Sequence, residues 1–175
     1  CTQEMADLVD WMRSYNETVS QEKALHFYGM DVQGFDNNKE YLFSVIDQAY
    51  PELSAEYSEV FAQLTDENRY SLDKTILNSA KEGVSEFLLK LDAAETDIAE
   101  SLGQPAFDFA KECVNTIYAF CEVQLSDNYN ATRDQYMYEK VEWFMQHGDG
   151  SVLFINGHNG HTGKTSVAGY TCLGE

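Results

Sequence analysis

Basic side chains are scarce in this sequence: 11 lysines and arginines stand against 30 aspartates and glutamates in 175 residues, a formal charge of -19. A field of that sign repels a phosphate backbone and an anionic bilayer alike, which argues against nucleic acid and a membrane surface as partners. Long apolar runs are missing as well. None approaches the ~20 residues that a spanning helix needs, so the chain reads as soluble. Four cysteines are too few for a disulfide scaffold, and Cys113 and Cys121 fall on one expected helix ~12 Å apart along its axis, too far to bridge. Buried thiols in a reducing compartment are the simplest reading, and no basic segment followed by an apolar stretch opens the chain, so a cytoplasmic location is expected. Asn16-Glu17-Thr18 and Asn130-Ala131-Thr132 would accept glycans only in a secretory pathway. Internal repeats and low-complexity tracts are absent, and there are only two prolines.

What is present is a helical pattern. An apolar content of 43% over this length supports a core and one cooperative unit. Met5, Leu8, Val9 and Met12 recur at helical spacing behind Thr2, a natural cap. Leu42, Val45, Ile46 and Ala49 form one further stripe, and Tyr57, Val60, Phe61 and Leu64 another, with Pro51 between them. A longer helix carries Leu77, Ala80, Val84, Phe87, Leu88 and Leu91 and ends near Gly103; the next runs from Pro105 through Phe107, Ala110, Val114, Ile117, Tyr118 and Cys121. A last long helix, capped by Asn130 or Thr132, carries Met137, Val141 and Phe144 and stops at Gly148-Asp149-Gly150. Thr165 to Leu173 could begin another.

Two short apolar stretches, Ala24 to Tyr28 and Ser151 to Ile155, read instead as strands buried on both faces. Two such strands make no stable sheet alone, so flanking strands must come from chain segments outside these residues or from another polypeptide. The expected class is therefore α/β and mostly helical. Residues 1–36 and 128–175 would be pieces of an α/β core, and residues 37–127 a large helical insertion.

Open α/β sheets bind ligands just past the carboxyl ends of their strands, which directs attention to Asn156-Gly157-His158-Asn159-Gly160-His161-Thr162-Gly163-Lys164. Glycine lets such a loop turn sharply, and imidazole exchanges protons near neutral pH. A phosphate cradle fails on spacing, because the P-loop pattern would need glycine where His158 stands. A metal site could draw two ligands from His158 and His161, with Asp31, after the first strand, as third candidate; Asp31 serves equally well as an acceptor for loop amides. Acid/base hydrolysis needs no metal: a histidine activates water and nearby donors hold the oxyanion. No G-x-S-x-G elbow is present, so a serine nucleophile has no support.

Four stretches, "TQEMADLVDWMRSYN" (Thr2 to Asn16), "FYGMDVQ" (Phe27 to Gln33), "RDQYMYEKVEW" (Arg133 to Trp143) and "VLFINGHNGHTGK" (Val152 to Lys164), occur in the order in which they appear in the erythromycin-esterase-like hydrolases, which the chain resembles over nearly its whole length. The last stretch is the most specific, since members carry an H-N-x-H motif after a core strand. The resemblance implies an α/β core with a helical insertion and hydrolysis of a small-molecule ester, such as a macrolide lactone, by histidine-activated water without a cofactor. It places His158 and His161 in the catalytic pocket, with Asn159 supporting their loop and Arg133 binding a pocket carboxylate or polarising the substrate. Asp31 and Tyr28 are further transfers. Members begin well upstream with another histidine and acidic residues, and continue past Glu175, so the missing core segments of the same protein are the expected partners and this piece alone is expected to be inactive. Cys1 stands where a tryptophan is expected. Two other functions compete: an acidic, non-catalytic helical binding domain and a metal-dependent hydrolase.

Overall fold

A computed structural model describes residues 2–148, 152–164 and 169–174. The chain forms two compact units, one of Cys1–Met30 with Lys140–Phe154, the other of Asp31–Glu139 with Ile155–Glu175.

The larger unit is a helical array: α2 (Asp36–Ala49), α3 (Pro51–Ala62), α4 (Lys74–Ala93), α5 (Glu95–Leu102) and α6 (Gln104–Leu125), with the first half of α7 (Tyr129–His147) and the single turn α8 (Asn159–Thr162). Helix α1 (Gln3–Asn16) belongs to the smaller unit. Helix α6 lies at the centre, packed by α2, α4 and α5. Its sequence suggests a single apolar stripe, yet Ala110, Cys113, Val114, Thr116, Ile117, Ala119, Phe120, Cys121 and Val123 are all buried, as befits a helix covered on nearly every side. Pro51 and Pro105 occupy first-turn positions, where a missing N–H costs nothing. The long helix expected to end near Gly103 is interrupted at Ala94, whose N–H reaches back to the carbonyls of Lys90 and Leu91. The apolar stripe carries through that bend, with Ala94 and Ile98 buried beside Leu91.

The loop before α2 is anchored tightly. Val32 is buried against Ala119 and Val123 of α6, and Phe35 meets Phe120 at 4.5 Å between ring centroids. The Phe35 N–H donates to the Asp66 carboxylate at 2.7 Å, and the Asp66 N–H donates back to Asp36 at 2.9 Å. Burying a valine-sized side chain contributes about 1.5–3 kcal/mol, so Asp31, one residue before Val32, is held close to the flank of α6.

In the smaller unit α1 forms as its periodicity and Thr2 cap foretell, but no residue of it is buried. Asn16 closes the helix on the extended segment that follows: its Nδ2 donates to the Leu25 carbonyl at 2.9 Å, and the Leu25 N–H donates to its Oδ1 at 2.7 Å.

Two expectations are corrected. Among the described residues there is no strand. Residues 24–28 and 152–155 are neither helical nor part of a ladder, and instead of being buried on both faces Phe27 is 58% exposed and Phe154 90%. Their apolar composition records a demand for neighbours, and a ladder forms only where those neighbours exist. Helix α7 starts at Tyr129, ahead of both expected caps; the Thr132 hydroxyl pairs with that of Ser126 instead, at 2.6 Å. Asp149, Gly150 and Ser151, expected in a turn and strand, and residues 165–168 of the expected last helix lie outside the described residues; residues 169–173 are not helical.

Candidate functional site

Arg133 and Asp134 lie in the second turn of α7, and they face the loop carrying Asp31 on one hand and α8 on the other. The Arg133 guanidinium grips Asp31 with two bonds, Nε to Oδ1 at 2.9 Å and Nη2 to Oδ2 at 2.7 Å. Such a fork orients as well as binds, because both groups are planar. Its remaining nitrogen, Nη1, lies 3.2 Å from His161 Nε2, and His161 Nδ1 lies 2.5 Å from Asp134 Oδ1. The four side chains form one continuous relay, Asp31–Arg133–His161–Asp134, within the larger unit.

Burial differs between the two ends of the relay. Asp31 is 42% exposed, Arg133 15%, His161 22% and Asp134 0% by side chain. The bond to Asp31, more than any other influence, raises the Arg133 pKa above its ordinary value, so the guanidinium is charged at any working pH. Guanidinium nitrogens only donate, so the Arg133 contact calls for an acceptor at Nε2 of His161, while Nδ1 is turned to Asp134. Partial burial, followed by the Asp134 charge, raises the Tyr170 phenol, which stays protonated beside the relay.

Behind Asp31, Gln33 supplies two supports. Its N–H donates to Asp31 Oδ1 at 3.2 Å, and its Nε2 donates to the Tyr129 hydroxyl at 2.5 Å. On the other flank the His161 main chain is tied at both ends, its N–H to the His158 carbonyl at 2.8 Å and its carbonyl to the Gly174 N–H at 2.9 Å. Buried Cys172 donates its thiol to the Gly163 carbonyl at 3.2 Å.

The two histidines of the motif therefore separate in role. His158 is the N-cap of α8: its Nδ1 accepts the Gly160 N–H at 3.0 Å, and the residue is exposed. A Cβ on Gly160 would stand 3.1 Å from that Nδ1, so the glycine is there to let backbone and imidazole approach. Sharp turning is not its task, since the positive φ angles among described residues belong to Gly103 and Gly169. Asn159, exposed, opens α8 and accepts the Gly163 N–H on its carbonyl at 3.0 Å. Tyr28 belongs to the smaller unit, where it stacks on Phe144 with centroids 4.5 Å apart. Of the six residues singled out from sequence, the structure thus joins Asp31, Arg133 and His161. It adds Asp134, Gln33, Tyr129 and Tyr170, which no spacing pattern marks; adjacency to Arg133 was the one available hint for Asp134.

A metal ion would need ligands that converge. Both ring nitrogens of His161 are engaged, His158 Nδ1 caps its own helix, and no group of three or more His, Cys, Asp or Glu among the described residues is placed to hold one. A cavity of about 440 Å³ lies in the smaller unit, lined by Val9, Met12, Arg13, Asn16, Glu17, Leu25 and Phe27, and it includes none of the relay.

A family model described as erythromycin esterase matches residues 1–174. The chain belongs to the erythromycin esterase family. Two crystal structures share the fold of this family member over 99% of its length. One is a protein from Bacillus cereus, 24% identical with a TM-score of 0.84, and the other a succinoglycan biosynthesis protein, 20% identical with a TM-score of 0.80. The chain spans 45% and 44% of their respective lengths. No curated protein matches it in sequence. No helix among the described residues is long and apolar enough to cross a membrane.

Proposed function

We propose that this erythromycin esterase family member supplies the arginine–histidine half of a hydrolytic site that cleaves a small-molecule ester or lactone with water. The observation that carries the reading is the relay, in which a fixed cation and an imidazole engaged at both ring nitrogens lie side by side. Hydrolysis of an ester asks for those two functions: a base for the attacking water and a donor for the oxyanion.

The relay couples them. Water attacks the carbonyl carbon, forming a C–O bond as its proton passes to His161 Nε2. Once Nε2 bears that proton it can no longer accept from Arg133, so the Nη1 hydrogen is released to the oxyanion that forms in the same step. Asp134 stabilises the imidazolium. Collapse of the tetrahedral adduct breaks the bond to the alkoxide, which recovers the proton from Nε2 and leaves as an alcohol, the acid remaining. Asp31 keeps the guanidinium from swinging away, and His158 acts by shaping α8.

We further propose that segments of the parent protein complete an α/β sheet on residues 24–28 and 152–155. Their apolar composition and the exposure of Phe27 and Phe154 support this, as does the span of less than half the length of the structural relatives. The substrate then binds against the relay of the larger unit.

The test is hydrolysis of a panel of aryl esters and macrolactones by the parent protein. His161→Ala is expected to lower kcat on the order of 10²–10⁴-fold, the usual share of a general base. His158→Ala, which removes a cap, should cost about tenfold or less in rate through a stability loss near 1 kcal/mol. Undiminished turnover in His161→Ala, or a larger loss in His158→Ala, would overturn the assignment.

A further inference from the structure

The carboxylate of Asp134 is the least explained group in the molecule. It is 1% exposed, its Oδ1 meets His161 Nδ1 at 2.5 Å, and its Oδ2 is buried with no hydrogen-bond partner. Folding alone gives no reason to keep such a group, because an apolar residue of similar size would avoid stranding an acceptor. Its position relative to Arg133 supplies a reason. Successive residues on a helix diverge by about 100°, so neighbours cannot address one face of a partner. Arg133 and Asp134 therefore reach around the imidazole and hold its two nitrogens separately, Nε2 by a donor and Nδ1 by an acceptor. The His161 backbone is held at both its N–H and its carbonyl, which fixes the point from which the ring projects.

We propose that Asp134 is a positioning residue that fixes the Nδ1–H tautomer of His161, leaving the Nε2 lone pair as the only basic face the ring can present. The neutral ring otherwise has two tautomers, and only one of them puts a lone pair toward Arg133. With the other, an N–H would confront a guanidinium N–H, and both the Arg133 contact and the basic face would be lost. Asp134 touches no reacting atom; it acts through His161 by choosing where the proton sits. The idea rests on the hydrolytic reading for its kinetic consequence and on geometry alone for its tautomer.

The ring-nitrogen ¹⁵N NMR spectrum of the parent protein above the imidazole titration tests it, with the His161 signals identified by their loss in His161→Ala. The expected result is a protonated Nδ1 and a bare Nε2. A protonated Nε2 in the wild-type protein overturns the proposal, whatever the variants do. The kinetic arm uses Asp134→Asn and Asp134→Glu. Asn, which can offer its amide to Nδ1 and impose the wrong tautomer, should lower kcat by about 10²–10⁴-fold with KM within about twofold, and Glu should recover part of the rate. Equal losses in KM and stability with kcat unchanged would show a structural role only and overturn it. An Nδ1–H ring in a parent protein that hydrolyses none of the esters would uphold the positioning and reject the hydrolase. An Nε2–H ring in an active enzyme would do the reverse.

Discussion

Helices α1 and α6 are both amphipathic in sequence and both form, yet α6 buries eleven of its residues while α1 buries none. The same contrast separates the two units. Rings in the larger one interlock, as where Phe87 meets Tyr57 at 5.2 Å and Phe61 at 5.1 Å, both edge to face. Rings in the smaller unit stack in half-exposed pairs such as Trp11 with Tyr15 at 5.8 Å. Periodicity therefore specifies which face of a helix is apolar, and the presence of a partner decides whether that face contributes to stability. The relay is assembled wholly from the well-covered unit, which suits a site whose parts must hold their distances.

The largest test of this contrast is Phe87→Ala, which removes a ring that is 0% exposed from the middle of the larger core. Such a truncation costs about 3–5 kcal/mol, a large share of a domain's stability. Trp11→Ala, in a residue 55% exposed, should cost ~0.5 kcal/mol or less. Two probes can follow the units separately, because both tryptophans, Trp11 and Trp143, lie in the smaller one while most helix lies in the larger. In urea, tryptophan fluorescence should change at lower denaturant than far-UV circular dichroism, and Phe87→Ala should move the second transition far more than the first. Coincident transitions that move together would show one cooperative unit, as chain length alone suggests, and would erase the distinction.

How far the sequence reveals this molecule depends on whether a feature is local. Helix positions were legible because 3.6-residue periodicity and caps such as Thr2 lie within each segment. The break at Ala94 was not, since no glycine or proline marks it and the apolar stripe runs through it. The strand reading of residues 24–28 and 152–155 registered a true apolar demand without the neighbours that a ladder requires. In the site, the H-N-x-H motif and Arg133 were visible through likeness to a family. Which imidazole turns toward Arg133 was invisible, because it follows from His158 capping α8. Asp134 was lost among thirty acidic residues, and its burial together with its contact to His161 distinguishes it.

Alkaline pH offers a second, smaller lever on the larger unit. Burial pushes the Cys121 thiol from 9.0 up to about 12, and burial likewise pushes the Tyr136 phenol from 10.0 up to about 12. Between those limits the unfolded chain releases protons that the folded chain keeps, so unfolding gains. Stability is intact below pH ~9 and drains as pH rises toward ~12. By pH ~10.5 the cysteine alone should remove roughly 2 kcal/mol. Urea midpoints by circular dichroism at pH ~8 and ~10.5 measure this, and Cys121→Val should narrow the difference. A midpoint that falls equally in Cys121→Val would assign the alkaline loss to other groups.

Asn16 gives the smallest and most local test, confined to the less covered unit. Its side chain exchanges two hydrogen bonds with the Leu25 backbone, copying one rung of a β-ladder, and it is the main polar tie between α1 and the segment that follows. Each bond is open to water, so the pair should be worth about 1 kcal/mol together. Asn16→Ala should shift the fluorescence transition by that amount and leave the dichroism transition in place. Asn16→Asp sharpens the point, because a carboxylate keeps the acceptor for the Leu25 N–H but opposes its carbonyl, and should fall between wild type and alanine or below both. If neither substitution moves the fluorescence transition, the segment is held to α1 by Val9, Met12 and Phe27 around their shared cavity, and apolar contact rather than the asparagine organises the smaller unit.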